Sequence, residues 1–182
     1  MITWTKRTQV LSALLILLFF ALLFGDAGRC FEDRRGRITE RELGELLPEL
    51  KNVRFLNKGD LLKQGVLFEG AEDIETYGCS LYIEGDLNKD GQMDVAVCGA
   101  YYDQKDGTEK PFLLILTGQH PGRYRKEFFM AFDRYFFICR ETELIKFRKN
   151  EVLTVGFKAH SDLMGVIMWD GNNYIFKHHI AP

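Results

Sequence analysis

The sequence lacks the short motifs of several common chemistries. It contains no GxSxG, no phosphate-binding loop and no HExxH, and its four cysteines include no CxxC pair, so zinc or thioredoxin-type chemistry is not indicated. It also lacks a surplus of one charge, because 24 basic residues stand against 26 acidic ones. Nucleic-acid binding normally needs a basic surface, so we expect no nucleic-acid partner.

Histidine offers little catalytic or ligand chemistry. Of the four histidines, only His178 and His179 are close in sequence, and on a strand their side chains point to opposite faces. Residues 160–162, His-Ser-Asp, are the residue types of a catalytic triad, but adjacent positions cannot align nucleophile, base and orienting group. We therefore predict that residues 178–179 belong to a solvated tail and that residues 160–162 form a turn. We predict no catalytic residue in either segment.

One short stretch carries a ligand signal, namely residues 86–94, DLNKDGQMD. Oxygen-bearing side chains stand at loop positions 1, 3, 5 and 9, Gly91 stands at position 6 where the chain turns sharply, and position 7 adds a backbone carbonyl. Ca²⁺ prefers about six to eight such oxygen ligands. We therefore predict a calcium site formed by Asp86, Asn88, Asp90, Gln92 and Asp94.

The residues around this loop indicate strands and not an EF-hand. An EF-hand has Glu at loop position 12 and continues into a helix, whereas Val97 stands there and residues 95–98 show no helical stripe. The apolar run 80–83 precedes the loop, so we expect two antiparallel strands. A metal-free Asx turn is the alternative. Repulsion among the three carboxylates favours calcium.

Residues 77–101, YGCSLYIEGDLNKDGQMDVAVCGAY, resemble the FG-GAP repeat of integrin alpha chains and the related VCBS repeats of bacterial surface proteins. The shared features are the aromatic-Gly pair at 77–78, the GDxNxDGxxD loop and the Gly-Ala pair at 99–100. Tyr101 stands where the family has proline, and Gly99 comes one residue later than usual. The resemblance implies a four-stranded propeller blade with calcium between its first two strands.

The rest of the chain predicts an α+β fold made mostly of antiparallel strands. A capping box of Thr39 and Glu42 predicts a short helix from residue 40, with leucines on its buried side. Strand-length apolar runs alternate with turn signals along the remaining chain: residues 53–56, 66–68, 112–117, 124–132, 135–139, 144–148, 152–157, 164–169 and 174–177.

A complete propeller does not fit this chain. It needs roughly four or more blades of 40 to 45 residues each, and the motif occurs once. We therefore expect residues 38–182 to form a single β-rich domain, either a blade-like sheet or a small sandwich, with a short N-terminal helix.

The sequence allows more than one role for the cysteines and for several aromatic residues. Cys30, Cys79, Cys98 and Cys139 allow three disulfide pairings in an oxidising compartment, or the last three remain free thiols within apolar runs. The aromatic residues between 128 and 137 are predicted to pack in the core. Trp169 and Tyr174 flank a predicted hairpin tip and are candidates for surface contact.

The N-terminus predicts export. Lys6 and Arg7 precede an apolar run at residues 10–24, which is short for a bilayer core of about 30 Å and fits a signal peptide with cleavage after Ala27. A signal anchor that holds the protein in the membrane is the alternative. Residues 28–37 are predicted to be a charged linker.

These patterns predict a periplasmic, cell-surface or secreted protein that binds calcium and contacts a protein or a glycan. The alternative is an exported hydrolase-type enzyme with a structural calcium ion and catalytic residues that form no linear motif. A pocket that gathers carboxylates would favour the enzyme, whereas a shallow surface with exposed aromatic residues would favour the binding protein.

Overall fold

The computed structural model describes residues 38–66, 74, 78–119, 123–141, 146–157 and 163–178. The described residues belong to one compact unit, Gly36–Pro182. The predicted signal segment, the charged linker, Cys30, His179 and residues 160–162 lie outside them. No helix in the described part of the chain is long and apolar enough to cross a membrane.

Antiparallel strands dominate the described chain, which confirms the predicted α+β, mostly β class. In chain order the elements are α1 (Glu40–Leu46), β1 (Lys51–Phe55), α2 (Lys58–Lys63), β2 (Cys79–Ser80), β3 (Tyr82–Gly85), β4 (Asp94–Asp103), β5 (Thr108–Gln119), β6 (Arg123–Ala131), β7 (Phe137–Cys139), β8 (Glu151–Gly156), β9 (Leu163–Trp169) and β10 (Tyr174–His178).

The strands form two five-stranded sheets. Sheet A has the order β1-β4-β5-β6, and β3 pairs with the first half of β4, on the edge where β1 pairs with its second half. Sheet B has the order β10-β9-β8-β7-β2. Strands β3 to β6 are neighbours in both sequence and space, so sheet A contains an antiparallel meander with the acidic loop between its first two strands.

Alternate side chains of β4 and β5 point to opposite faces of sheet A, and both faces are buried. One face contributes Ala96, Cys98, Leu113 and Ile115 to a core that it shares with Ile138, Leu153, Val155 and Ile167 of sheet B. The opposite face contributes Val95, Val97, Phe112, Leu114 and Leu116, which pack with Leu43 of α1 and with Leu47 directly after it. This double burial explains the continuous apolar runs of β4 and β5.

Helix α1 begins where the sequence predicts. Glu42 N donates to Thr39 Oγ1 at 3.3 Å and Thr39 N donates to Glu42 Oε2 at 2.7 Å, which completes the capping box. Leu43 and Leu47 are fully buried. Pro48 follows and disfavours further helix.

Helix α2 lies between the two predicted strands 53–56 and 66–68, where the glycine and polar residues favour a turn. Residues 67–68 of the second predicted strand lie outside the described residues. The N-cap of α2 is Asn57, whose side chain accepts from Asp60 N at 3.2 Å, while the Asp60 carboxylate accepts from Asn57 N at 2.9 Å. Gly59 favours a turn on propensity, and Leu61 alone is buried in this helix. One buried residue gives no periodic pattern, so the capping box was the only available signal.

One other strand prediction differs from the structure. Residues 146–148 are irregular, and the rest of the predicted strand 144–148 lies outside the described residues. Residues 133–134, the turn between the predicted strands 124–132 and 135–139, do not join neighbouring strands of one sheet, because β6 belongs to sheet A and β7 to sheet B. The chain crosses between the sheets at this point, and both flanking segments are aromatic, so their composition does not distinguish the sheets.

A disulfide joins Cys79 of β2 to Cys139 of β7, which are directly opposite in sheet B. Cys98 of β4 is a buried free thiol. Of the two alternatives that the sequence left open, the free core thiol applies to Cys98 and disulfide pairing applies to Cys79 and Cys139. The bond fastens the short strand that leads into β3 and the acidic loop.

Candidate functional site

The acidic loop, residues 86–93, joins β3 to β4 and closes an antiparallel hairpin, as predicted. The last pair of this hairpin is Gly85 opposite Asp94. Lys89 and Gly91 have positive φ angles of 64° and 84°, so the loop turns through the left-handed region twice. Gly91 occupies this conformation without steric cost, which is the role that the sequence pattern assigned to it.

Three predicted ligands direct side-chain oxygens toward backbone groups of the loop. The two carboxylate oxygens of Asp86 accept from Asp90 N at 2.9 Å and from Gly91 N at 3.0 Å. Asn88 Oδ1 accepts from the same Asp90 N at 3.0 Å, and Asn88 Nδ2 donates to Asp90 Oδ2 at 3.0 Å. The side chains of Asp86, Asn88 and Asp90 therefore lie close together.

Asp94 is the buried member of the loop and is 0% exposed. Its Oδ2 accepts from Leu87 N at 3.0 Å, Asn88 N at 3.2 Å and the Tyr174 hydroxyl at 3.3 Å, and its Oδ1 accepts from Gly118 N at 3.2 Å. This carboxylate connects the loop to β5 of sheet A and to β10 of sheet B. No basic side chain among the described residues forms an ion pair with it.

Burial raises the pKa of the Asp94 carboxyl above its ordinary value. Hydrogen bonds from the Gly118, Asn88 and Leu87 amides lower this pKa, and the neighbouring Asp90 charge raises it. Burial also raises the pKa of Tyr174, and the Asp94 charge adds to that rise. A cation bound beside Asp94 would offset the cost of burying its charge.

The donor set suits calcium by its chemistry. It consists of the side-chain oxygens of Asp86, Asn88, Asp90 and Asp94 and the backbone carbonyl of Gln92, with no nitrogen or sulfur. A carboxylate has about four lone-pair positions, so the amide hydrogen bonds leave acceptor capacity for a metal. No three His, Cys, Asp or Glu side chains form a ready metal cluster within the described ranges. Calcium binding therefore requires the loop carboxylates to draw together around the ion.

Two residues of this site were not identified from the sequence. Gly118 lies so close to the loop that a Cβ atom there would be 2.4 Å from the Met93 carbonyl oxygen, so glycine allows its N–H to reach Asp94. Tyr174, which we predicted as a surface-contact candidate, is only 5% exposed and donates to Asp94. Its ring lies 4.7 Å from the half-buried Trp169 ring.

A second concave site, which we call the polar cleft, lies beyond the opposite end of β4. Its volume is about 880 Å³. Its walls come from four separate segments: residues 64–66 after α2, residues 106–110 at the β4–β5 turn, residues 133–135 at the crossing between the sheets, and Phe157. No local motif links these segments, so the cleft could not be predicted from the sequence.

Paired charges hold one wall of the polar cleft. Arg54 donates to Asp60 at 2.7 Å and to Glu109 at 2.6 Å, and the Tyr135 hydroxyl donates to the same Glu109 oxygen at 2.5 Å. The Arg54 hydrogen bonds lower the pKa of Glu109. Burial and the Glu109 contact raise the pKa of Tyr135 to about 12. Glu109 is therefore ionised and fixed in position at neutral pH.

Lys110 organises the adjoining wall. Its Nζ lies 3.0 Å from Asp103 and 2.6 Å from Asp106. The Lys110 hydrogen bond, followed by that of Thr108, lowers the pKa of Asp106 to about 2. This carboxylate is also ionised at neutral pH.

These features define a two-sheet α+β protein with an acidic hairpin loop at one end of β4 and a polar cleft at the other. Comparisons with family models, curated proteins and solved structures found no match.

Proposed function

We propose that this chain is an extracytoplasmic calcium-binding structural and interaction protein, similar in its loop to an FG-GAP or VCBS repeat, that contacts a protein or a glycan. The observation that carries the metal proposal is Asp94, a buried carboxylate without an ion-pair partner among the described residues, at the base of an oxygen-rich loop. Calcium held by Asp86, Asn88, Asp90, Gln92 and Asp94 would neutralise it and order the junction of the two sheets.

The disulfide supports export. Bonds such as Cys79–Cys139 persist mainly in oxidising compartments outside the cytosol. The apolar run at residues 10–24 fits the same route, as a cleaved signal or as an anchor. Calcium concentrations in such compartments suit a loop of modest affinity.

One observation favours the hydrolase alternative, namely that the polar cleft is lined by Asp106, Glu109 and Asp133. Acid–base hydrolysis needs one carboxyl group that holds its proton near neutral pH. The pKa of Asp106 is lowered to about 2 and that of Glu109 lies below its ordinary value, so neither serves as a general acid. These two carboxylates therefore support ligand binding better than acid catalysis.

Calcium titration tests the metal proposal. We expect the full-length protein, kept in detergent because of its apolar N-terminal run, to bind calcium with a Kd of about 0.1 to 1 mM by calorimetry. At calcium concentrations on the order of 1 mM this binding adds about 0.4 to 1.4 kcal/mol to the free energy of unfolding. Asp90→Ala should abolish the heat of binding.

Asp170→Ala is the matched control. Asp170 also accepts two backbone N–H groups, from Asn172 and Asn173, in a different hairpin turn. It should leave the calcium titration unchanged. If the parent protein releases no heat on calcium addition, or if both variants lose the heat of binding equally, the loop is not a calcium site.

The calcium effect on stability should depend on pH. In the metal-free protein, burial raises the pKa of folded Asp94 above the ordinary value of about 3.9 that applies to the unfolded chain. Between these two values the folded state binds more protons, so the Asp94 contribution to the free energy of unfolding falls as pH rises. Calcium binds the ionised form and competes with the proton, so its stabilising effect should grow over the same interval.

The measurement is the difference in Tm between calcium-containing and resin-depleted buffers, from about pH 7.5 down to about pH 4. We expect the difference to be largest at the neutral end and smallest at the acidic end. Taking differences cancels the acid sensitivity of carboxylates that do not bind calcium. A difference that stays constant with pH would argue against carboxylate ligation of calcium by this loop.

A further inference from the structure

We propose that the polar cleft is the binding site for a neutral saccharide. The inference rests on the contact role proposed above, but its site is separate from the calcium loop. The loop precedes Asp94 and the cleft follows Asp103, so the two sites are separated by the length of β4, which for ten residues is about 30 Å. The cleft volume of about 880 Å³ lies within the range of small-ligand sites.

The lining of the cleft carries both signs of charge, from Lys110 and Arg134 and from Asp106, Glu109 and Asp133. Lys110 lies between Asp103 and Asp106, and Arg54 and Tyr135 hold Glu109. A strongly anionic or cationic ligand would therefore meet repulsion from part of the wall. A hydroxyl group can both donate and accept hydrogen bonds, so a neutral polyhydroxyl ligand matches carboxylate and ammonium groups together.

Two neighbouring side chains of the cleft, Arg134 and Asp133, have polar groups that can hydrogen-bond a ligand. Arg134 lies over the Phe157 ring, 5.8 Å from its centroid, and has no carboxylate partner among the described residues. Asp133 has no basic partner within the same ranges, and both side chains are exposed. The guanidinium group can donate to sugar hydroxyls and the carboxylate can accept from them.

Aromatic surface completes the match to a sugar. Phe157 and Tyr135 both line the cleft and are half-buried. The C–H face of a sugar ring gains dispersion contacts when it packs on such rings. The ion pairs of Arg54 and Lys110 hold the wall in place before any ligand arrives, which reduces the entropy cost of binding.

The test uses the full-length protein in a polyoxyethylene detergent, because a sugar-headed detergent would compete for the site. Cellobiose, maltose, lactose and diacetylchitobiose are the neutral probes, digalacturonic acid is the anionic probe and spermidine the cationic one. We expect calorimetry or saturation-transfer NMR to detect at least one neutral disaccharide. Asp133→Ala combined with Arg134→Ala should weaken that binding by about tenfold or more.

Arg41→Ala combined with Glu45→Ala is the matched control. These two side chains form an exposed pair at 3.8 Å on α1, so this variant also removes one base and one acid. It should bind like the parent. If circular dichroism shows that the cleft variant is unfolded, Asp133→Asn, which keeps the side-chain shape, replaces it and should also weaken binding.

Binding of no neutral probe would overturn the proposal, as would binding of a charged probe alone or equal weakening in the cleft variant and its control. Capture of a protein partner with no saccharide binding would also overturn it. Each titration is run with and without calcium. Saccharide binding without any calcium heat would refute only the metal proposal, whereas calcium heat without saccharide binding would refute only this one.

Discussion

Replacing Asp94 by alanine is expected to lower the free energy of unfolding by about 4 kcal/mol in calcium-depleted buffer. The change leaves Leu87 N, Asn88 N, Gly118 N and the Tyr174 hydroxyl without their shared acceptor. An unsatisfied buried donor costs about 1 to 3 kcal/mol, which applies to the Tyr174 hydroxyl. The three amides are half-buried, so water can reach them and each costs less. Urea unfolding followed by circular dichroism measures the loss.

Asp90→Ala is the control for this prediction. Asp90 is exposed, and its loss should cost less than about 1 kcal/mol. The fluorescence of Trp169, which lies against Tyr174, should change in the Asp94 variant and not in the control. Similar losses in both variants would show that the loop as a whole, and not Asp94, connects the two sheets.

Removing the disulfide is expected to have an effect of similar size. Cys79 and Cys139 are separated by 60 residues in sequence, and in the chain-entropy model closing a loop of that length stabilises a fold by about 4 kcal/mol. Strand β2 has only two residues, too few to hold its place by backbone pairing alone. Chemical denaturation of the parent and of Cys79→Ala combined with Cys139→Ala gives the difference.

A reductant provides the internal control for the disulfide. Dithiothreitol should lower the stability of the parent to about that of the double variant and leave the double variant unchanged. Cys98 remains a thiol in both proteins, so it does not contribute to the difference. A reductant effect that persists in the double variant would assign the loss to some other group.

Local features of this chain were predictable where neighbouring residues decide them. Helix α1 follows from a capping box and leucines at helical spacing, and the β3–loop–β4 hairpin follows from Asx and Gly residues between two apolar runs. Helix α2 was missed because its single buried side chain, Leu61, produces no pattern that a turn would not also produce.

The composition and the spacing of turns determined that this protein is an α+β fold of antiparallel strands, and the loop sequence determined the turn in which Asp86, Asn88 and Asp90 lie close together. Tertiary structure alone decided that Cys79 pairs with Cys139, that the chain changes sheets at residues 133–134, and that Asp94 meets Gly118 and Tyr174. It also decided where the polar cleft forms. The physical reason is that turns and caps depend on contacts within a few residues. Sheet packing, by contrast, brings together residues that are distant in sequence, such as Asp94 and Tyr174. The residues next to each of them in the sequence do not indicate that the two will meet.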